Sequence, residues 1–137
     1  MKGLCVFAFL LLIIMPLFQV QQGDFLSKCN AEEVYFVKNR NGKQCYEKQE
    51  TKDFSIVDFA KTEGVILKYS TGQKDKILED FGVKVIKKEQ IENRDIIYGY
   101  TKFYSDFIYI KNKQSNIQIA ESEDCIIVGF PIIYSGF

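Results

Sequence analysis

From Val83 to Tyr134 the chain is a succession of short β-forming runs, each closed by a polar turn, and this pattern limits the folds open to it more than any other feature. Val83-Lys84-Val85-Ile86-Lys87 alternates with period two, as a strand with one wet face does. Asn93-Arg94-Asp95 turns the chain into Ile96-Ile97-Tyr98-Gly99-Tyr100-Thr101. Phe107-Ile108-Tyr109-Ile110 and Ile117-Gln118-Ile119-Ala120 flank a polar turn over residues 112–116, and Glu121-Ser122-Glu123-Asp124 leads into Cys125-Ile126-Ile127-Val128-Gly129-Phe130. Pro131 has no N–H to give a ladder, which demotes Ile132-Ile133-Tyr134 to an edge or bulged end. Hairpins in sequence predict an antiparallel meander.

Upstream, Asn41-Gly42 between Val34-Tyr35-Phe36-Val37 and Gln44-Cys45-Tyr46 is a strong hairpin signal. Two segments break the β pattern. Phe54, Val57 and Ala60 recur at helical spacing behind Asp53, a residue suited to an N-cap, and that helix should end near Gly64. After the strand Val65–Tyr69, residues 72–82 predict a second short helix, with Ser70 or Thr71 at its start, Ile77, Leu78 and Phe81 on its apolar face, and Gly82 at its left-handed stop. The fold class expected is therefore α+β: an antiparallel sheet with one or two short helices packed on one face. Residues 23–137 make one small domain, and residues 24–50 form a hairpin that a Cys29–Cys45 disulfide would close.

Residues 1–22 stand apart from that domain. Lys2 precedes an unbroken apolar run from Leu4 to Met15, followed by Pro16 and a polar tail, which is the build of an export signal. No A-x-A cleavage pattern precedes Gly23, so a cleaved signal and a retained anchor both remain open. Either way the positive end stays in the cytoplasm and the domain lies outside, with the membrane involved only through residues 1–22 if they are kept. In an oxidising compartment two of Cys29, Cys45 and Cys125 could pair; Cys29 and Cys45 flank the hairpin, whereas Cys125 sits in an apolar strand and reads as a small buried hydrophobe.

The composition removes several chemistries. No histidine is present, so serine–histidine and cysteine–histidine nucleophiles and histidine-ligated zinc are excluded. Of four cysteines, Cys5 falls in the N-terminal segment, and the other three, without C-x-x-C spacing, do not make a thiolate zinc site; no phosphate-binding glycine loop occurs. Eighteen basic residues face eighteen acidic ones, which is not the charge of a nucleic-acid binder. Carboxylates remain as catalysts: Glu32-Glu33, Glu79-Asp80 and Glu121/Glu123/Asp124 are the clusters, and a glycosidase needs two facing across a cleft. The last cluster lacks the ligand spacing of a calcium loop. Tyr98, Tyr100, Tyr104 and Tyr109 form a second candidate set, an aromatic binding face on the sheet.

The order of elements from Phe54 onward, with Ile96-Ile97-Tyr98-Gly99-Tyr100, Asn116-Ile117-Gln118-Ile119-Ala120 and Val128-Gly129-Phe130-Pro131-Ile132-Ile133, resembles the C-terminal half of the YwmB-like exported proteins of low-GC Gram-positive bacteria. That resemblance implies a fold like the TATA-box-binding protein and an envelope or sporulation-associated setting; it supplies no functional residue. The function expected is an exported, non-enzymatic domain that binds an envelope protein or peptide through a sheet face or edge strand, with Tyr98, Tyr100 and Tyr109 as contact residues and no metal or cofactor. The alternative is a small carboxylate-dependent hydrolase or lyase acting on cell-wall material. A third reading gives the contact to the protruding hairpin 34–46.

Overall fold

A computed structural model describes residues 29–49, 62–134 and Phe137. The segment expected to be a signal or anchor and the helix expected around Phe54–Ala60 lie outside these residues.

Local turn chemistry sets four hairpins. Asn41 and Gly42 both adopt positive φ (52° and 76°), so β1 (Glu33–Arg40) folds onto β2 (Lys43–Lys48) through the primed turn that matches strand twist. Glu92 at φ 54° joins β4 (Lys84–Ile91) to β5 (Arg94–Tyr100), and Lys111 and Asn112 at 50° and 63° join β6 (Ile108–Ile110) to β7 (Lys113–Ser115). Between β8 (Ile117–Glu121) and β9 (Cys125–Phe130) the Ser122 hydroxyl donates to the Cys125 carbonyl and accepts from its N–H. The strands thus fall close to their expected places, but the turn expected at 112–116 is tighter, and its last residues are strand β7 and Asn116.

The sheet is antiparallel but not a sequential meander. With β3 (Gly64–Ser70), its order is β2-β1-β3-β9-β8-β5-β4. The last strand lies near the middle: Val65 pairs with Phe130 and Ser70 with Cys125, while β8 joins β5 from Asp95↔Glu121 to Gly99↔Ile117. β6 and β7 form a separate two-stranded ribbon rather than pairing across to β8. The edge expected at the proline-bearing C-terminus is therefore corrected. β9 is flanked on both sides, residues 131–134 are not a strand, and the edges are β2 and β4. A register shift between Val85 and Lys87, with Lys84, Lys87 and Lys88 on the same strand, disfavours strand addition at β4.

One face of the sheet holds the main core: Val34, Phe36, Val65, Leu67, Ile97, Ile117, Ile119, Ile126, Val128 and Phe130. The helix α1 (Lys74–Asp80) covers it with Ile77, and Phe81 follows, its ring edge-on to Phe130 at 5.4 Å. The helix stops as expected at Gly82, φ 55°, whose N–H bonds the Glu79 carbonyl at 3.0 Å. Its N-cap is Gln73 without a side-chain bond, rather than Ser70 or Thr71 as expected; Ser70 ends β3 and bonds the Glu32 carboxylate.

The loop after β5 completes this layer through a buried polar hub. Asn116 is fully buried; its Oδ1 accepts from the Thr101 N–H at 2.7 Å, and its Nδ2 donates to the carbonyls of Thr101 (2.7 Å) and Tyr104 (2.6 Å). The amide acts as an extra peptide group, extending the ladder where the strand has stopped. The Thr101 hydroxyl donates to the Phe81 carbonyl and the Ser115 hydroxyl to that of Gly99, tying helix end, loop and ribbon together. Among the described residues no buried side-chain nitrogen or oxygen lacks a partner, as burial of polar groups demands.

The opposite face is covered by the chain's own end. Past the cis Phe130–Pro131 bond, the Ile133 N–H donates to Gln118 Oε1 at 2.8 Å, and the Tyr134 hydroxyl donates to the Glu63 carbonyl at 3.0 Å. Phe137 sets its ring edge-on to Tyr35 (5.1 Å) and Tyr46 (4.7 Å). Gly129 and Gly64 make this approach feasible. A Cβ on Gly129 would sit 2.3 Å from the Ile132 carbonyl oxygen, and one on Gly64 would sit 2.7 Å from the Tyr134 ring.

Candidate functional site

The tail-covered face carries side chains from alternate residues of the seven sheet strands, and a groove and a pocket lie at its two ends. β5 points Tyr98 and Tyr100 to this face, where cross-strand pairing brings Lys87 opposite Tyr98 and Lys84 opposite Tyr100. Two of the three tyrosines expected as contact residues therefore share a surface. They differ in availability. The Tyr98 hydroxyl donates to Glu89 at 2.7 Å, and the Lys87 ammonium lies 5.5 Å from its ring centre while binding the same carboxylate. Burial first, then that hydrogen bond, pushes the Tyr98 phenol up to about 12. Glu89 in turn is held below the usual carboxylate range by the Lys87 and Tyr98 bonds, with Lys111 adding to the field.

Tyr100 remains 38 % exposed and lines an open groove of about 430 Å³ with Lys84, Ile86, Lys113 and Gln114. The ribbon supplies the last two, because Asn116 and Ser115 hold its second strand against the Gly99 carbonyl. The groove has an aromatic platform, an apolar side chain and two ammonium groups, and no acid among its lining residues. Tyr109, the third expected residue, is not in it: it projects from the ribbon, 67 % exposed, edge-on to Phe107 at 5.5 Å. Tyr104 is corrected outright, since at 4 % exposure it packs on Phe130 in the core, and burial pushes its phenol well up.

At the other end of the face a smaller pocket of about 210 Å³ lies between sheet and tail. Tyr35, Ala120, Ile127, Ile133 and Phe137 give its apolar walls, while Glu33, Lys68, Arg94, Ser122 and Cys125 supply polar groups. Cys125, expected to be a buried hydrophobe, is instead half-buried and faces this space. Glu33 accepts from the Tyr35 hydroxyl (2.8 Å) and Lys48 (2.9 Å), with Lys68 at 3.6 Å. The Lys48 bond, then the Tyr35 bond, lowers its pKa from 4.5 to about 2.

This lowering makes a prediction about acid. A carboxyl with a depressed folded pKa stabilises the fold fully above its unfolded value, near 4.5, and loses that contribution as pH falls towards about 2. The stability gap between the wild-type chain and Glu33→Gln is therefore constant from pH 7 to about pH 5 and closes over the window below 4.5. Urea melts at pH 7, 5, 3.5 and 2.5 check it; a gap independent of pH would remove Glu33 from the account.

The disulfide expected between Cys29 and Cys45 is not formed: Cys29, Cys45 and Cys125 all remain thiols. Cys29 is buried in the core, with its thiol beside the Tyr69 hydroxyl, at the Glu33 end of β1; Cys45 pairs with Lys38, near the turn. Glu33 to Lys38 alone spans about 16 Å of strand at ~3.3 Å per residue, whereas a disulfide needs Cα atoms within about 7 Å.

The acidic clusters are not assembled into a catalytic pair. Glu33 is shared among two lysines and a tyrosine, Glu121 binds Lys74, Glu32 binds Ser70, and Glu79 and Asp80 close the helix. A general acid needs a raised carboxyl pKa, whereas Glu33 and Glu89, among the described residues, are held down by their lysine and tyrosine partners. No three potential metal-ligating side chains cluster among the described residues.

Lys84, Lys113 and Arg94 carry no sequence signal that marks them as site residues. Only the pairing of Lys84 with Tyr100, and the position of the ribbon, reveal that they belong to one surface. No family model, curated protein or solved structure matches this chain.

Proposed function

We propose that this chain is an exported, non-enzymatic domain of YwmB-like type that binds an envelope or sporulation-associated protein or peptide through the tail-covered face of its sheet. The observation that carries the reading is the groove at Tyr100, in which a half-exposed ring lies between Lys84 and Lys113 with no lining acid. Exposed tyrosine beside cations is the composition of recognition surfaces, where the ring supplies area and the charges select a complementary partner. An acidic segment of the partner fits it.

The test is comparative capture from the native envelope. Wild-type full-length chain retains a stoichiometric partner at low salt, and the double variant Lys84→Glu/Lys113→Glu loses at least about tenfold in affinity for it, because like charges then face each other. Raising salt should weaken the wild-type complex in the same direction. Equal capture by both chains, independent of salt, would move the binding surface elsewhere. Intact-mass analysis of the same bait distinguishes a cleaved signal from a retained anchor.

A further inference from the structure

The pocket between sheet and tail lies at the far end of the same face from the Tyr100 groove and shares no lining residue with it. Its charges do not cancel. Glu33 is already held by Lys48, Lys68 and the Tyr35 hydroxyl, so its negative charge is spent within the fold. Ser122 is committed to the turn through the Cys125 backbone. Arg94, exposed at the first position of β5, lines the pocket and forms no ion pair with any carboxylate of the described residues. Apart from the Cys125 thiol, the remaining walls are apolar: Ile127 and Ala120 from the sheet, Ile133 and Phe137 from the tail.

Size narrows the occupant further. Sites that enclose a drug-sized ligand run from about 300 to 1,000 Å³. At about 210 Å³ this pocket has room for one large side chain, not for an extended molecule. An apolar group with a negative charge at its edge satisfies both the walls and the unpaired guanidinium, and a planar carboxylate matches the guanidinium fork.

We infer that this pocket binds the carboxy-terminal residue of a peptide, with an apolar side chain seated against Ile127, Ile133 and Phe137 and its terminal carboxylate on Arg94. The inference is independent of the groove: the two surfaces use different residues, and either can be lost alone.

Fluorescence polarisation on the full-length chain tests it with a labelled hexapeptide ending in phenylalanine, as the free acid and as the carboxamide. The free acid binds and the amide binds at least about tenfold more weakly, the scale of one hydrogen-bonded charge. Arg94→Gln brings the free acid down to the amide's level; the residue is exposed, so the fold is spared. Ala120→Leu, which fills the pocket, abolishes binding of both, with thermal melts confirming that the variant is folded. Lys84→Glu/Lys113→Glu leaves this binding unchanged. N-acetyl-phenylalanine as competitor separates a peptide end from any small apolar acid: it displaces the peptide only at far higher concentration. No binding of the free acid, equal binding of acid and amide, or full binding by Arg94→Gln each overturns the inference. So does equal potency of N-acetyl-phenylalanine, which would make the ligand a small acid rather than a peptide end.

Discussion

Asn116→Ala lowers the stability of the domain by roughly 3–5 kcal/mol, the largest single-residue effect expected outside the apolar core. The side chain satisfies three buried backbone groups, namely the Thr101 N–H and the carbonyls of Thr101 and Tyr104. Alanine removes all three of these bonds in a buried space, and each lost partner of a buried backbone group costs about 1–3 kcal/mol before relaxation. Asn116→Asp does not rescue it, because a carboxylate still accepts from Thr101 but is set against two carbonyl oxygens. Urea denaturation measures the loss. A second readout is local: amide exchange at Phe103 and the residues following it should quicken before the sheet opens, since the hub pins that loop. A change below about 1 kcal/mol would mean that the loop does not depend on the hub.

Gly129→Ala is expected to cost about 2–3 kcal/mol through a different cause, steric overlap that no rotamer can relieve. Its new methyl would lie 2.3 Å from the Ile132 oxygen, 2.4 Å from its carbonyl carbon and 2.5 Å from the Ile133 nitrogen, all backbone atoms. The tail must therefore lift from the sheet, taking Ile133 from Gln118 and Phe137 from its two tyrosines. Carboxypeptidase digestion followed by mass spectrometry should trim this variant past Phe137 while the wild-type end resists. A variant as stable and as resistant as wild type would contradict the packing described for residues 129–137. Because Ile133 and Phe137 wall the small pocket, the same change should also weaken its peptide ligand.

Local structure was largely legible in the sequence, and its assembly was not. Asn41-Gly42, Gly82 and the period-two run at Val83–Lys87 each carry a short-range physical constraint, and the turn, helix stop and strand all appear there. Strand order depends on pairings such as Val65 with Phe130, which no local periodicity encodes. One signal did point to it. Cys125–Phe130 is continuously apolar rather than alternating, as befits a strand covered on both faces and flanked on both edges. In the sequence Asn116 is one more polar turn residue, since burial of a side-chain amide shows only when its three partners are known. The tyrosines were legible as types but not as roles: Tyr98 is bonded inward to Glu89, Tyr104 is core, and Tyr100 keeps a free face. The lysines that make Tyr100 selective come from β4 and the ribbon, which only the tertiary fold brings beside it.

The central placement of β9 also governs when this domain can fold. Strand β3 is made early, yet one of its two neighbours is the last strand of the chain, so half of its hydrogen bonds wait for residues 125–130. Contacts of such long sequence separation slow the search for the native state. A nascent chain that lacks its final residues has an open sheet with Val65 and Leu67 lacking the strand that buries them. The sheet therefore cannot close until residues 125–130 are available to pair with β3 and β8.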